Sequence, residues 1–120
     1  MLNILLVDDS KMARMIVGKT IEKLGHNIVA QAADGEKGFE AYKEHKPDLV
    51  LSDIEMPVLD GHGMVKKIKE FDPEASIVMI SSIVNAQFLK RIINEGAIDT
   101  ITKPVSEEKL KEVFEKLENN

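Results

Sequence analysis

The sequence predicts an α/β fold in which five parallel strands alternate with five helices, (βα)5, as a doubly wound three-layer sandwich. Three observations lead there. Short apolar runs alternate with longer amphipathic segments, the connections between them are short, and several runs are apolar throughout rather than at every second residue. An unbroken apolar run marks a strand covered on both faces, the condition of a parallel sheet packed between helices. With 120 residues, 43% of them hydrophobic, the chain has the size of one domain around one core. A single domain over residues 1–120 is therefore expected, with no output domain.

The first strand is Asn3–Val7, and it runs directly into Asp8 and Asp9. Ala13, Ile16, Val17, Thr20, Ile21 and Leu24 then recur at helical spacing, and Gly25 supplies the stop. A second strand, Asn27–Gln31, leads to Asp34, the N-cap of a helix that presents Phe39 and Tyr42. The third apolar run, Asp48–Leu51, is followed by Asp53 at the strand end and by SDIEMPVLDG, a Pro/Gly connection. Gly61, Met64, Val65 and Ile68 mark the third helix. Ser76–Ser81 is the fourth strand, and Phe88, Leu89, Ile92 and Ile93 mark a helix ended by Gly96. The fifth strand, Ala97–Thr102, precedes Lys103; Ser106 then caps a helix carrying Leu110, Val113, Phe114 and Leu117. Gly18 and Gly38 fall inside helices, where each costs roughly 1 kcal/mol relative to Ala. Met12 and Met15 are expected to be buried as core fillers.

The net charge of −5 argues against a nucleic-acid surface, which carries a basic excess. No cysteine is present, so disulfides and thiolate metal sites are excluded. No apolar run approaches the ~20 residues of a membrane span. The N-terminus lacks a basic leader, and a soluble cytoplasmic chain is expected.

In a doubly wound sheet the functional crevice lies beyond the carboxyl ends of the strands. Those ends carry Asp8 and Asp9, Asp53, Ser81 and Ser82, and Lys103. Two carboxylates ~4 Å apart repel by about 4 kcal/mol at an effective dielectric near 20. Either one acid holds a proton or a hard divalent cation neutralises the group. An open all-oxygen site suits Mg²⁺, with Mn²⁺ able to substitute, better than a Ca²⁺ cage. Zinc is disfavoured because His26, His45 and His62 lack ligand spacing and are expected at the surface. A cation beside a carboxylate nucleophile and a lysine is also what phosphoryl transfer requires. Taken singly, each feature has a plainer reading: Asp8-Asp9 as a cap or solvated turn, the serines as strand-end hydrogen bonders, Lys103 as a surface lysine.

The succession VDDS, LSDIEMPVLDG, ISS and TKP resembles the receiver domain of two-component response regulators, particularly its single-domain, chemotaxis-type members. The resemblance covers the whole chain. It implies a flavodoxin-like fold with strand order 2-1-3-4-5 and Asp53 as the phosphoacceptor for a histidine kinase. It further implies Mg²⁺ held by Asp9, Asp8, Asp53 and the backbone carbonyl of Glu55. Ser81, with Ser82 beside it, would be the switch hydroxyl, Lys103 would pair with phosphoryl oxygens, and the Lys103-Pro104 peptide would be cis. Where many members carry Tyr or Phe, this chain has Thr100, so a swinging aromatic ring cannot be carried over. Glu55 and Ile83 stand at positions that tune water access in the family, implying altered, slow loss of the phosphoryl group. A partner face including Arg91, Asn94, Glu95 and Thr100 is implied, with the target a motor switch or adaptor.

The implied function is a phosphoacceptor switch rather than an enzyme, acting through noncovalent partner binding in chemotaxis or motility, or as a phosphorelay shuttle. A different class remains open: a small Mg²⁺-dependent phosphatase with an aspartate nucleophile, which Asp53-x-Glu55 superficially mimics. Such enzymes usually carry the nucleophile after the first strand. A flavodoxin-like small-molecule binder is weaker, since no Gly-rich phosphate loop follows strand one.

Overall fold

A computed structural model describes residues 1–83 and 85–119. The elements alternate as β1 (Asn3–Val7), α1 (Lys11–Lys23), β2 (Asn27–Ala32), α2 (Gly35–His45), β3 (Leu49–Asp53), α3 (Gly61–Phe71), β4 (Ile77–Ser81), α4 (Ala86–Glu95), β5 (Asp99–Thr102) and α5 (Glu107–Glu118). The five strands form one sheet in the order β2-β1-β3-β4-β5, and every neighbouring pair is parallel. Strand ends differ from the sequence expectation by one or two residues, the usual uncertainty of element termini. The bounds of β3 shift from the expected run because Ser52 and Asp53 are still paired with β4.

The alternation of side chains along a strand explains the unbroken apolar runs. Leu5, Val7, Val50, Ile77 and Met79 face one way and pack with Tyr42, Met64, Val65, Ile68 and Ile92 of α2, α3 and α4. Ile4, Leu6, Leu49, Leu51, Val78, Ile80 and Ile101 face the other way, onto Ile21 of α1 and Leu110, Val113 and Phe114 of α5. Each fully buried aliphatic or aromatic side chain contributes about 1.5–3 kcal/mol. Every helix is opened by a side-chain cap, Ser10, Asp34, Asp60, Asn85 and Ser106 in turn. Each such cap contributes ~1 kcal/mol and fixes where the connecting loop ends.

Three sequence expectations are corrected here. Met12 and Met15 are exposed, at 71% and 54% of their surface, because they fall outside the stripe that Gly18 and Ile21 turn to the sheet. His26 is not a surface residue. Its ring is only 7% exposed; Nδ1 accepts from the Leu2 N–H at 3.0 Å, and the ring packs edge-on against Phe114.

Register places the site. Chain reversal on either side of β1 makes the carboxyl ends of β1 and β3 the switch point of the sheet. Val7 pairs with Ser52, so Asp8 and Asp53 emerge side by side. Asp53 pairs with Ile80 and Ser81 with Thr102, which brings Ser81 and Lys103 to the same rim. Gly61 closes the β3–α3 loop: its N–H donates to the Ile54 carbonyl at 2.7 Å. A Cβ there would stand 2.8 Å from both the Asp53 carbonyl oxygen and the Ile54 Cα. Gly61→Ala is therefore expected to destabilise the fold by about 1–3 kcal/mol, the usual cost of forcing extra volume into packed structure. A urea midpoint equal to that of the parent would contradict it.

Candidate functional site

The carboxylates of Asp8, Asp9 and Asp53 each place an oxygen within 4.8 Å of the others. Asp8 and Asp53 are buried and Asp9 is exposed. Asp8 Oδ1 accepts from the Ser10 N–H at 2.8 Å, and the Arg14 guanidinium donates to the Asp8 carbonyl. Burial raises the Asp8 carboxyl above its ordinary pKa; the Ser10 hydrogen bond and Lys103 oppose this, while the charges of Asp53 and Asp9 add to it. The charges of Asp53 and Asp9 thus disfavour the ionised form of Asp8, as their adjacency in sequence and register requires.

Asp53 is held at both oxygens. Oδ1 accepts from the Ile54 N–H at 2.8 Å and Oδ2 from Lys103 Nζ at 2.9 Å. Desolvation alone lowers the Lys103 pKa, but the Asp53 hydrogen bond and the charges of Asp53, Asp8 and Asp9 outweigh it and raise it. The Lys103 N–H donates to the Ser81 carbonyl at 2.8 Å, which locks the loop after β5 to the end of β4. The Lys103-Pro104 peptide is cis. Ser81 Oγ accepts from the Ile83 N–H at 3.0 Å, leaving its own hydrogen to donate.

A cavity of about 100 Å³ opens over these groups, lined by Asp53, Glu55, Ser81, Ser82, Ile83, Phe88 and Lys103 among others. Beside it runs a larger apolar groove of about 510 Å³, between α1 and Pro104-Val105, bordered by Asp8 and Lys103. The acid cluster offers oxygen donors alone, so it fits a hard divalent cation that keeps part of its water, Mg²⁺ or Mn²⁺, better than zinc. Val58, in the β3–α3 loop, is 84% exposed and adopts φ 66, a conformation costly for a β-branched residue. Val58→Asn is expected to raise stability by about 0.5–1 kcal/mol, because Asn tolerates this region; an unchanged or lowered thermal midpoint would count against the assignment.

The family model for the response regulator receiver domain matches residues 4–115. The chain belongs to that family. This receiver is 40% identical to the chemotaxis protein CheY of Bacillus subtilis over 116 residues, 97% of each chain. It is 35% identical to the CheY of Thermotoga maritima over 114 residues, 95% of each. Among solved structures it resembles one from the CheX-CheY-BeF3-Mg+2 complex of Borrelia burgdorferi, with TM-score 0.92 and 35% identity, covering 96% of this chain and 87% of that one.

Within the receiver, Asp8, Asp9, Asp53, Ser81, Ser82, Lys103, Glu55 and Ile83 gather at one rim. The partner-face residues do not gather there. Arg91 and Asn94 are exposed on α4, and Thr100 is half-buried on β5. Glu95 is already engaged: its Oε1 lies 2.6 Å from His62 Nδ1 on α3, and its Oε2 lies 3.5 Å from Arg91 Nε. Sequence reasoning missed Phe88 as a lining residue and Arg14 as a brace. For Phe88 the signal was its place in the first turn after the strand bearing Ser81. Among the described residues, no helix is long and apolar enough to cross a membrane.

Proposed function

We propose that this receiver is a Mg²⁺-dependent phosphoacceptor switch of a two-component system, phosphorylated on Asp53 by a histidine kinase. The carrying observation is the Asp53 carboxylate, buried, hydrogen-bonded to Lys103 at 2.9 Å and bordered by two further acids. Asp8, Asp9 and Asp53, with the Glu55 carbonyl, would hold the cation. A bound Mg²⁺ supplies positive charge that offsets the acids and the migrating phosphoryl group.

The chain's own residues do the rest. An Asp53 oxygen lone pair forms the new O–P bond while the P–N bond of the donor phosphohistidine breaks, its electron pair returning to the donor imidazole. The Lys103 ammonium passes from the carboxylate to a phosphoryl oxygen, and the Ser81 hydroxyl donates to another. Ser82 borders the same cavity. Glu55 and Ile83 govern the approach of water that ends the marked state. Exposed Met12, Met15 and Ile16, beside the acids, give the phosphodonor an apolar surface to rest on. Arg91, Asn94 and Thr100 present the face for a downstream protein, in keeping with chemotaxis or motility control in the cytoplasm. A phosphorelay shuttle would use the same chemistry.

Incubation with Mg²⁺ and a small acyl-phosphate donor, followed by intact mass, tests this reading. One labile phosphoryl group per chain is expected, and it should fail to appear when the cation is chelated. Steady multiple turnover of a phosphate ester would instead assign an aspartate-nucleophile phosphatase.

A further inference from the structure

We infer that Phe88 is the side chain through which α4 senses what occupies the cavity over Asp53, with His62 as the stop it works against; this rests on the phosphoacceptor reading. Phe88 is half-buried and lines that cavity together with Asp53, Ser81 and Lys103. Its ring stands edge-on to the His62 imidazole, with centroids 5.9 Å apart and an interplanar angle of 85°. His62 Nδ1 in turn lies 2.6 Å from Glu95 Oε1. One imidazole on α3 therefore touches α4 near both ends, at its first turn through Phe88 and at its last residue through Glu95.

His62 does not move freely with α4. It follows Gly61, whose N–H is bonded to the Ile54 carbonyl at 2.7 Å, and Ile54 adjoins Asp53. The imidazole is thus tied by backbone to the strand that bears the acceptor, while Phe88 rides on the neighbouring helix. A displacement of the first turn of α4 relative to that strand alters the contact between the two rings.

Occupancy supplies the displacement. The cavity lies over Asp53 and is bounded on one side by Phe88, so a phosphoryl group on the acceptor enters the space that the ring borders. Charged oxygens then stand against an apolar wall, the Phe88 ring, an unfavourable juxtaposition unless the ring withdraws. Ser81 acts on the same turn. Its Oγ holds the Ile83 N–H at 3.0 Å, and Ile83 borders the cavity beside Phe88. Buried Ile92 anchors the middle of α4, so motion at the first turn is returned at the last, where Glu95 and Arg91 meet. Thr100 on β5 has no ring to do this; Phe88 does.

Amide NMR spectra of the whole chain with and without Mg²⁺ and beryllofluoride, a phosphoryl mimic, decide the matter. In the parent, shifts are expected at Ile54, Ser81 and Lys103 and also across Ile92–Glu95. Phe88→Ala should keep the first set and lose at least two-thirds of the second, and Phe88→Tyr should restore it. If Phe88→Ala merely fills space less well, stability falls while the Ile92–Glu95 response equals that of the parent, and the inference is overturned. Failure of Phe88→Tyr to restore a lost response also overturns it. No shift at Ile54, Ser81 and Lys103 in the parent removes the phosphoacceptor reading, and the coupling with it.

Discussion

Asp53→Asn should stay at its unmodified mass after incubation with Mg²⁺ and an acyl-phosphate donor, under conditions in which the parent gains one phosphoryl group. The amide is nearly the same shape, can still accept from the Ile54 N–H, and leaves the Ser52–Ile80 surroundings of the strand end untouched. What it lacks is a charged oxygen with a lone pair free to form the acyl phosphate. The loss should be complete within detection, because neither Asp8 nor Asp9 has the Lys103 contact that Asp53 has. Labelling of Asp53→Asn at the parent's level would move the acceptor elsewhere. The thermal midpoint of the variant should remain close to that of the parent, which separates chemistry from folding.

Asp8→Asn should do two opposite things. Asn can keep the hydrogen bond from the Ser10 N–H while removing a charge that is both desolvated and repelled by Asp53 and Asp9. The cation-free variant is therefore expected to be about 1–2 kcal/mol more stable than the parent near neutral pH, roughly 3–6 °C in thermal midpoint per kcal/mol. The sign follows from proton linkage. A carboxyl whose folded pKa is raised binds its proton more tightly in the folded state. That favours folding at low pH, and the advantage is lost as pH rises from about 4 through the folded value. Above that window the parent folds against an unfavourable buried charge, and Asn abolishes the decline. In Mg²⁺ the order reverses. Saturating cation should stabilise the parent, by about 2.7 kcal/mol at a hundred times the dissociation constant. The variant should gain little, having lost one ligand. Calorimetry across pH 4–8, with and without Mg²⁺, checks both arms; equal Mg²⁺ gains in the two chains would remove Asp8 from the cation site.

The fold was legible because two periodicities sit side by side in the sequence. Runs such as Val50-Leu51 and Ile77–Ile80 are apolar on consecutive positions, which only a strand covered on both faces requires, while Met64, Val65 and Ile68 recur as a helical stripe. The acids, the serines and Lys103 were legible because strand ends are where a parallel sheet exposes function. What escaped depends on contacts between elements remote in sequence. Periodicity says that Phe88 faces inward but not that the inward direction is the acid cavity. The His26 ring is covered because it takes the Leu2 N–H on one side and packs edge-on against Phe114 on another, a junction between chain ends that no local pattern announces. Ile16 belongs to the apolar stripe of α1 yet is 61% exposed, since it borders a groove rather than the sheet. Glu95 reads as a free surface acid until α3 is laid beside it.

If Asp53 is the acceptor proposed above, the resting contact between Lys103 and Asp53 bears on how a mark could be written and erased many times over. An ammonium already leaning on the acceptor need not be recruited when the mark arrives; it changes its lean by the span of one hydrogen bond. On the same reading, loss of the mark would return the ammonium to the bare carboxylate. A group that only changes its lean asks little of the strands around it, which suits a chain that is to be reused rather than replaced.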